Sequence, residues 1–372
     1  MGTAGADEAA LGVTLGRLEA WDDGHVPSLF PPGTGRMVVG QRRRDEIKGQ
    51  LNVYEDVLPP ALCREVYDYC CSQALPSWGT YVLKEHLVGP KATEPHPGVN
   101  AAGKQYYYGW KAAKALFVDR AGDFIGEDWA YVDGIAIWGL RSTRRNQVEY
   151  HIDYAELHRL ETNVTQPPLF AGTLQVSPLG EGDMEGGDFW AHADGLDHYR
   201  RWGYKGARRP FRESIQADAA AEEGWHRVTY KANQGIVHDG DLPHMSTLVT
   251  CIPEDTQRVI LGFNAFAPGL AAKISRAAPE HSAAFRKRVK LYQLLGSSLK
   301  KHRSAEWDAG AENVKMSKGG DAAKLLARLA AKVKAKPAAP TTTTTTPPQQ
   351  RLLRSPPEAE HATAMGYIAS AR

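Results

Sequence analysis

The sequence predicts a mainly β fold with flanking helices, built as a two-sheet jelly roll. About eight short β-type runs follow one another between residues 131 and 267, turn formers separate them, and helical patterns lie outside the series. Strands alternating with helices would instead give a parallel, doubly wound sheet. Short consecutive strands stack or close into a sandwich or barrel.

Residues 1–48 are loosely patterned, with "PPGTG" at 31–35 and the basic cluster Arg42-Arg43-Arg44, and read as an N-terminal leader. The folded domain is expected over 49–268. It opens with "LNVYEDVLPPALCREVYDYCCSQ", a short strand, a Pro-Pro turn and an amphipathic helix with Leu62, Val66, Tyr69 and Cys70 at helical spacing. Residues 79–108 mix a Gly/Pro-rich loop with the strand-like "QYYYGW", and a second helix is expected at about 111–119.

The strand series then runs "YVDGIAIWGL", "NQVEYHIDYA", "LFAGTLQVSP", "GGDFWAH", "WHRVTYKA", "GIVHDG", "MSTLVTCI" and "RVILGFNAF". "RSTRRN", "PLGEGDMEGG", "KANQG" and "PEDTQ" punctuate it. Residues 269–336 read as a basic helical extension. Residues 337–372, containing "PAAPTTTTTTPPQQ", read as a low-complexity tail expected to be disordered.

Composition narrows the class without naming a partner. The 372 residues are 42% hydrophobic and 24% charged, with a formal charge of +2, as in an ordinary globular protein. No apolar run reaches the roughly 20 residues of a membrane span, and the first residues lack a signal-peptide pattern. Cys63, Cys70 and Cys71 are read as packed thiols in a reducing compartment, so an intracellular, cytoplasmic location is expected, with a nuclear one open. The sequon Asn163-Val164-Thr165 would matter only in a secreted protein.

The chemistry-bearing stretch is "VEYHIDYA", residues 148–155. On a strand, His151 and Asp153 point to the same side. That face is either solvated or two-thirds of a metal site, and a metal site needs a third ligand. His244, which follows Leu242-Pro243 and opens a strand-like run, is preferred over His238, which three turn-type residues follow. His192 and His226 fit ordinary half-buried histidines. Arg258 heads an otherwise apolar strand. A hairpin through "IPEDT" with a five-residue loop would place Thr250 opposite it and turn it inward with His244 and Ser246. An inward arginine needs an anion, either a structural carboxylate or a cosubstrate.

His151-x-Asp153, His244 and Arg258, spread over about eight short strands, resemble the iron(II)/2-oxoglutarate-dependent dioxygenases. "VYEDVLPPALCREVYDYC", "EGGDFWAH" (Glu185–His192) and "NQGIVHDGDLPHMST" resemble the prolyl-hydroxylase-like branch. The resemblance covers about residues 50–268. It implies a double-stranded β-helix, cupin-like core, with iron(II) held by His151, Asp153 and His244 in a facial triad. It implies 2-oxoglutarate and dioxygen as cosubstrates, leaves ascorbate open, and gives Arg258 the distal carboxylate of 2-oxoglutarate. The implied reaction is hydroxylation of a C–H bond in a small molecule or protein side chain, yielding succinate and carbon dioxide. Asp153 favours hydroxylation or desaturation, since halogenating relatives replace that carboxylate with a small residue.

Thr173 and Ser246 are further candidates for the cosubstrate, although a strand threonine is an ordinary β-former. Trp138, in the strand before His151, is a candidate pocket residue. Arg200 and Trp202 lie in "HYRRWGYKGARRPFRE" (198–213), a cluster suited to an anionic substrate or to a solvated insertion. Nucleobase oxidation therefore stays open without being favoured. The competing classes are a zinc hydrolase on the same three ligands and a non-catalytic jelly-roll binding protein with a basic tail. No membrane partner is expected, and the oligomeric state is open.

Overall fold

In the computed structural model the described residues are 16–21, 29–30, 33–41, 44–73, 77–98, 100–142, 147–180, 182–202, 223–274, 290–292, 294–296 and 298. Most of the expected basic extension, the whole tail and residues 203–222 lie outside them. In chain order the elements are β1 (Arg17–Ala20), β2 (Arg36–Val39), β3 (Leu51–Tyr54), α1 (Pro60–Ser72), β4 (Ser77–Leu83), α2 (Lys84–Leu87) and α3 (Ala101–Ala113). A π-helical segment, Lys114–Arg120, continues α3 into α4 (Gly122–Ile125). Then come β5 (Gly134–Ser142), β6 (Val148–His151), α5 (Glu156–Thr162), β7 (Val164–Thr165), β8 (Phe170–Gln175), β9 (Phe189–His192) and α6 (Gly195–Trp202). The last four are β10 (Trp225–Val228), β11 (Gln234–Asp239), β12 (His244–Ser246) and β13 (Arg258–Phe266).

Two antiparallel sheets dominate: a six-stranded one in the order β3-β11-β8-β13-β5-β4 and a four-stranded one in the order β10-β9-β12-β6. A small third sheet joins β1, β2 and β7. Antiparallel sheets with flanking helices match the expected class. Among the described residues no sheet closes on itself, so the architecture is one of facing sheets.

The large sheet has one apolar and one polar face, because side chains alternate along each strand. Ile135, Ile137, Val259, Leu261, Phe263, Leu174 and Val237 share the face covered by α1, α3 and the π segment, in one buried core with Val66, Trp110 and Phe117. Phe117 and Phe263 meet with ring centroids 5.5 Å apart. Burying each such side chain contributes roughly 1.5–3 kcal/mol. The opposite face carries Arg258, Asn264, Thr173, Gln175, Gln234 and His238, matched by strand register. The four-stranded sheet lies against this polar face: Phe189 and Ala191 pack with Ile236, and Phe189 lies 5.5 Å from the His238 ring.

α1 forms as its spacing predicts, with Pro60 at its first turn and Cys63, Val66, Tyr69 and Cys70 buried. All four cysteines are free thiols, with Cys63 and Cys70 buried. "QYYYGW" is not a strand. It lies inside α3, which starts where the Asn100 side chain accepts a hydrogen bond from Gly103 N at 2.8 Å. Gly109 lets this helix approach the sheet closely, since a Cβ there would meet Thr80 Cγ2 at 2.6 Å.

The leader contributes β1 and β2, and its Trp21 and Met37 are buried in a small core with Ile152, Leu196 and Tyr199. Asn163 of the sequon is buried at the end of α5 in the left-handed conformation, with its amide donating to Thr34 Oγ1 at 3.0 Å. No helix among the described residues is long and apolar enough to cross a membrane.

Candidate metal centre

β6 and β12 bring the two histidines together. His151 and His244 are direct cross-strand partners, and their ring centroids are 4.4 Å apart. Asp153, two residues past His151, reaches the same point. Its Oδ1 lies 3.4 Å from His151 Nε2 and its Oδ2 3.8 Å from His244 Nε2. One ligand atom from each of the three residues falls within 4.8 Å of the others. A metal binding nitrogen and oxygen at about 2.1 Å holds adjacent donors about 3 Å apart, so a small inward adjustment completes the fit.

Backbone carbonyls select the ring nitrogens that face the centre. His151 Nδ1 hydrogen-bonds Glu149 O at 2.6 Å and His244 Nδ1 hydrogen-bonds Leu242 O at 3.0 Å. A carbonyl only accepts, so each Nδ1 carries the proton and each Nε2 keeps its lone pair. This is the outer-shell arrangement that orients a ligating imidazole. Burial, reinforced by the neighbouring His151, lowers the His244 pKa to about 3. The ring is therefore neutral near pH 7, as a metal ligand must be. Two imidazoles and one carboxylate converging on one point are a donor set that suits a divalent iron.

His238 is close by without belonging to the cluster. Its ring lies 5.2 Å from that of His244, its Nδ1 bonds Asp239 O at 2.8 Å, and burial lowers its pKa to about 4. His226 bonds Gly49 O at 2.8 Å, and His192 stacks on His198 at 3.6 Å.

Arg258 opens β13 on the polar face of the large sheet. It is 4% exposed, donates from Nη2 to Gly187 O at 2.8 Å, and its Nε has no partner. Burial lowers its pKa, but a guanidinium keeps its charge. Tyr230 and the Asp188 carboxylate offset part of the cost of burying this cation. Tyr230 stands beside it, its ring centre 6.0 Å from the guanidinium carbon. Gly186 and Gly187, both at φ +77°, form the bend that admits the arginine; a Cβ on Gly187 would lie 3.1 Å from Arg258 Nε.

The hairpin expected between the His244 and Arg258 strands does not form. β12 pairs with β6 and β9, whereas β13 pairs with β5 and β8. Thr250 instead donates its N–H to Glu185 O at 2.9 Å, and Glu185 bridges Cys251. The chain crosses between sheets here, because Glu185 satisfies the backbone that a hairpin would have paired internally.

The remaining candidates separate. Thr173 lies on the polar face between Gly262 and Ile236. Trp138 shares that face, packs with Ala155 and Phe266, and lies across Gly262, where a Cβ would come within 2.3 Å of its indole. The Ser246 hydroxyl accepts from Val148 N at 2.9 Å and so ties β12 to β6. Arg200 is not brought to the triad. It pairs with Glu19 and stacks over Trp21 at 5.0 Å, on α6, which packs against Tyr150 on the outer face of the small sheet. The Trp202 side chain and the rest of the basic cluster, 203–213, lie outside the described residues. Asn264, Gln175 and Tyr230 were not anticipated; the alternation that turns Arg258 inward also marks Asn264.

No protein-family profile matches the sequence, and no curated protein matches it. Among solved structures the chain is similar to a Pseudomonas putida prolyl-4-hydroxylase, at 13% identity and a TM-score of 0.35, covering 60% of this chain and 88% of that one. It is similar to a viral collagen prolyl hydroxylase from Paramecium Bursaria Chlorella virus-1, at 11% identity and a TM-score of 0.32, covering 58% and 95%. HygX from Streptomyces hygroscopicus, solved with nickel and 2-oxoglutarate bound, is similar at 11% identity and a TM-score of 0.32, covering 59% and 84%.

Proposed function

We propose that this chain is an iron(II)- and 2-oxoglutarate-dependent oxygenase that hydroxylates a C–H bond of a small-molecule or peptidyl substrate. The observation that carries the reading is the convergence of His151, Asp153 and His244 beneath a sheet face that also buries Arg258. On this reading residues 49–268 are the oxygenase domain, and the facing sheets are its double-stranded β-helix core.

His151 and His244 would each offer Nε2 to iron(II), and Asp153 a carboxylate oxygen. Bound there with 2-oxoglutarate and dioxygen, the metal supplies an oxidant strong enough to take hydrogen from carbon. The protein's own part is binding and exclusion. Arg258 receives the distal carboxylate of 2-oxoglutarate with its guanidinium, which Tyr230 and Gly187 hold in place. Thr173, on the same sheet face, would hydrogen-bond the same cosubstrate, and Trp138 would wall the pocket beside it. Ser246 acts through the β6–β12 pair instead. The test is succinate formation from 2-oxoglutarate with and without iron. A zinc hydrolase on the same ligands would form none.

A further inference from the structure

We propose that the leader belongs to the working metal centre: Met37 and Trp21, packed on Ile152, and Gln41, bonded to Gln166, are positioning residues that hold Asp153 against His151 and His244. The inference rests on the three-ligand centre of the oxygenase reading, and not on turnover. β6 ends at His151, so the cross-strand register that sets the two histidines stops before Asp153. Asp153 stays on the metal side only while the chain remains extended through Ile152. Packing, more than strand pairing, must hold it there.

Tyr150, Ile152 and Tyr154 alternate with the ligands and so face away from the metal. Ile152 is buried with Trp21, Met37 and Val39 of the leader and with Leu196 and Tyr199 of α6, and both tyrosines pack against the same cluster. The leader is fastened from two sides. β2 pairs in parallel with β7, with Met37 opposite Thr165. From α6, Arg200 pairs with Glu19 and lies over Trp21, whose indole stacks on Tyr199. A second route reaches the other flank of Asp153 through hydrogen bonds. Ala155 N donates to Gln166 O at 3.0 Å, and the Gln166 amide donates to Gln41 Oε1 at 3.2 Å. Gln41 Nε2 in turn donates to Pro167 O at 2.8 Å, and both glutamines are buried. Residues 152 and 155, on either side of Asp153, are thus both tied to the leader.

The test uses the full-length, metal-free chain and cobalt(II) alone, a divalent probe whose visible absorption reports its ligands. Affinity is read by competition with a chelator. Met37→Ala is expected to weaken cobalt binding about ten-fold or more and to change the visible bands, as loss of the contacts that orient a ligand does. Met37→Leu, which refills the space, should stay close to the wild type in both. Val66→Ala truncates a buried side chain in the core on the other face of the large sheet. It should lower the melting temperature too, yet keep cobalt affinity within about two-fold. In an Asp153→Ala background Met37→Ala should have no further effect, because the leader acts through that carboxylate. Met37→Val, a smaller truncation, takes the place of Met37→Ala if that variant does not fold. Wild-type affinity in the Met37 variant, an equal loss in Val66→Ala, or full additivity with Asp153→Ala overturns the proposal. Absence of succinate formation by the wild type would remove the oxygenase reading, yet leave the cobalt measurements free to succeed.

Discussion

His244 stands directly opposite His151 across the β6–β12 pair, with ring centroids 4.4 Å apart. Sheet register thus presets the separation of the two imidazoles, and Asp153 needs only the same-side geometry of a residue two positions on. His238, on the facing sheet, has no such relation to Asp153.

Metal binding should therefore depend on His244 and not on His238. His244→Ala is expected to lose stoichiometric iron after dialysis, while His238→Ala retains it. Metal analysis of the two variants decides the point; the reverse pattern would move the third ligand to β11.

Arg258→Gln removes both the charge and the paired donors, whereas Arg258→Lys keeps the charge alone. A charged hydrogen bond is worth roughly 1.5–3 kcal/mol, so the Gln variant should raise the KM for 2-oxoglutarate about ten- to a hundred-fold. The Lys variant should fall between it and the wild type, and iron content should not change. A wild-type KM in Arg258→Gln would end the cosubstrate assignment.

Gly187→Ala tests the same contact from the other side. Its φ of +77° disfavours any Cβ, and that Cβ would lie 3.1 Å from Arg258 Nε and 2.9 Å from Met184 Cε. The substitution should cost about 1 kcal/mol of stability. It should also weaken 2-oxoglutarate binding while sparing iron. Unfolding curves and a KM comparison measure both, and an unchanged KM would show that Gly187 does not set the arginine's position.

Burial raises the Cys63 thiol to about 11 and the Cys70 thiol to about 12, while Cys251 is exposed. Timed alkylation at pH 8 with mass spectrometry should label Cys251 first, then Cys71, with Cys63 and Cys70 reacting only on unfolding. Above the ordinary thiol value near 9, the unfolded chain releases protons that the fold retains. Stability should therefore fall as pH rises from about 9. Cys70 reacting as fast as Cys251 would contradict its buried placement.

Much of this site was legible because strand alternation is local. "HID" places His151 and Asp153 together, and the parity of "RVILGFNAF" puts Arg258 and Asn264 opposite Val259 and Leu261. Sheet partnership is not local. The pairing of Glu185 with the 250–251 backbone, which cancels the expected hairpin, joins segments 65 residues apart. "QYYYGW" misled for a different reason. Its aromatic residues favour strands, but the Asn100 cap and the closely packed Gly109 make it helix. That Asn264 is unpaired depends on three neighbouring strands, and no pattern within β13 could express it.

The central claim is that the triad supports iron-dependent turnover of 2-oxoglutarate. The most direct measurement is succinate formed by wild type and Asp153→Ala, each with iron(II) supplied and withheld. The account predicts succinate only from the wild type with iron. No succinate under any condition, or equal amounts from Asp153→Ala, would contradict it.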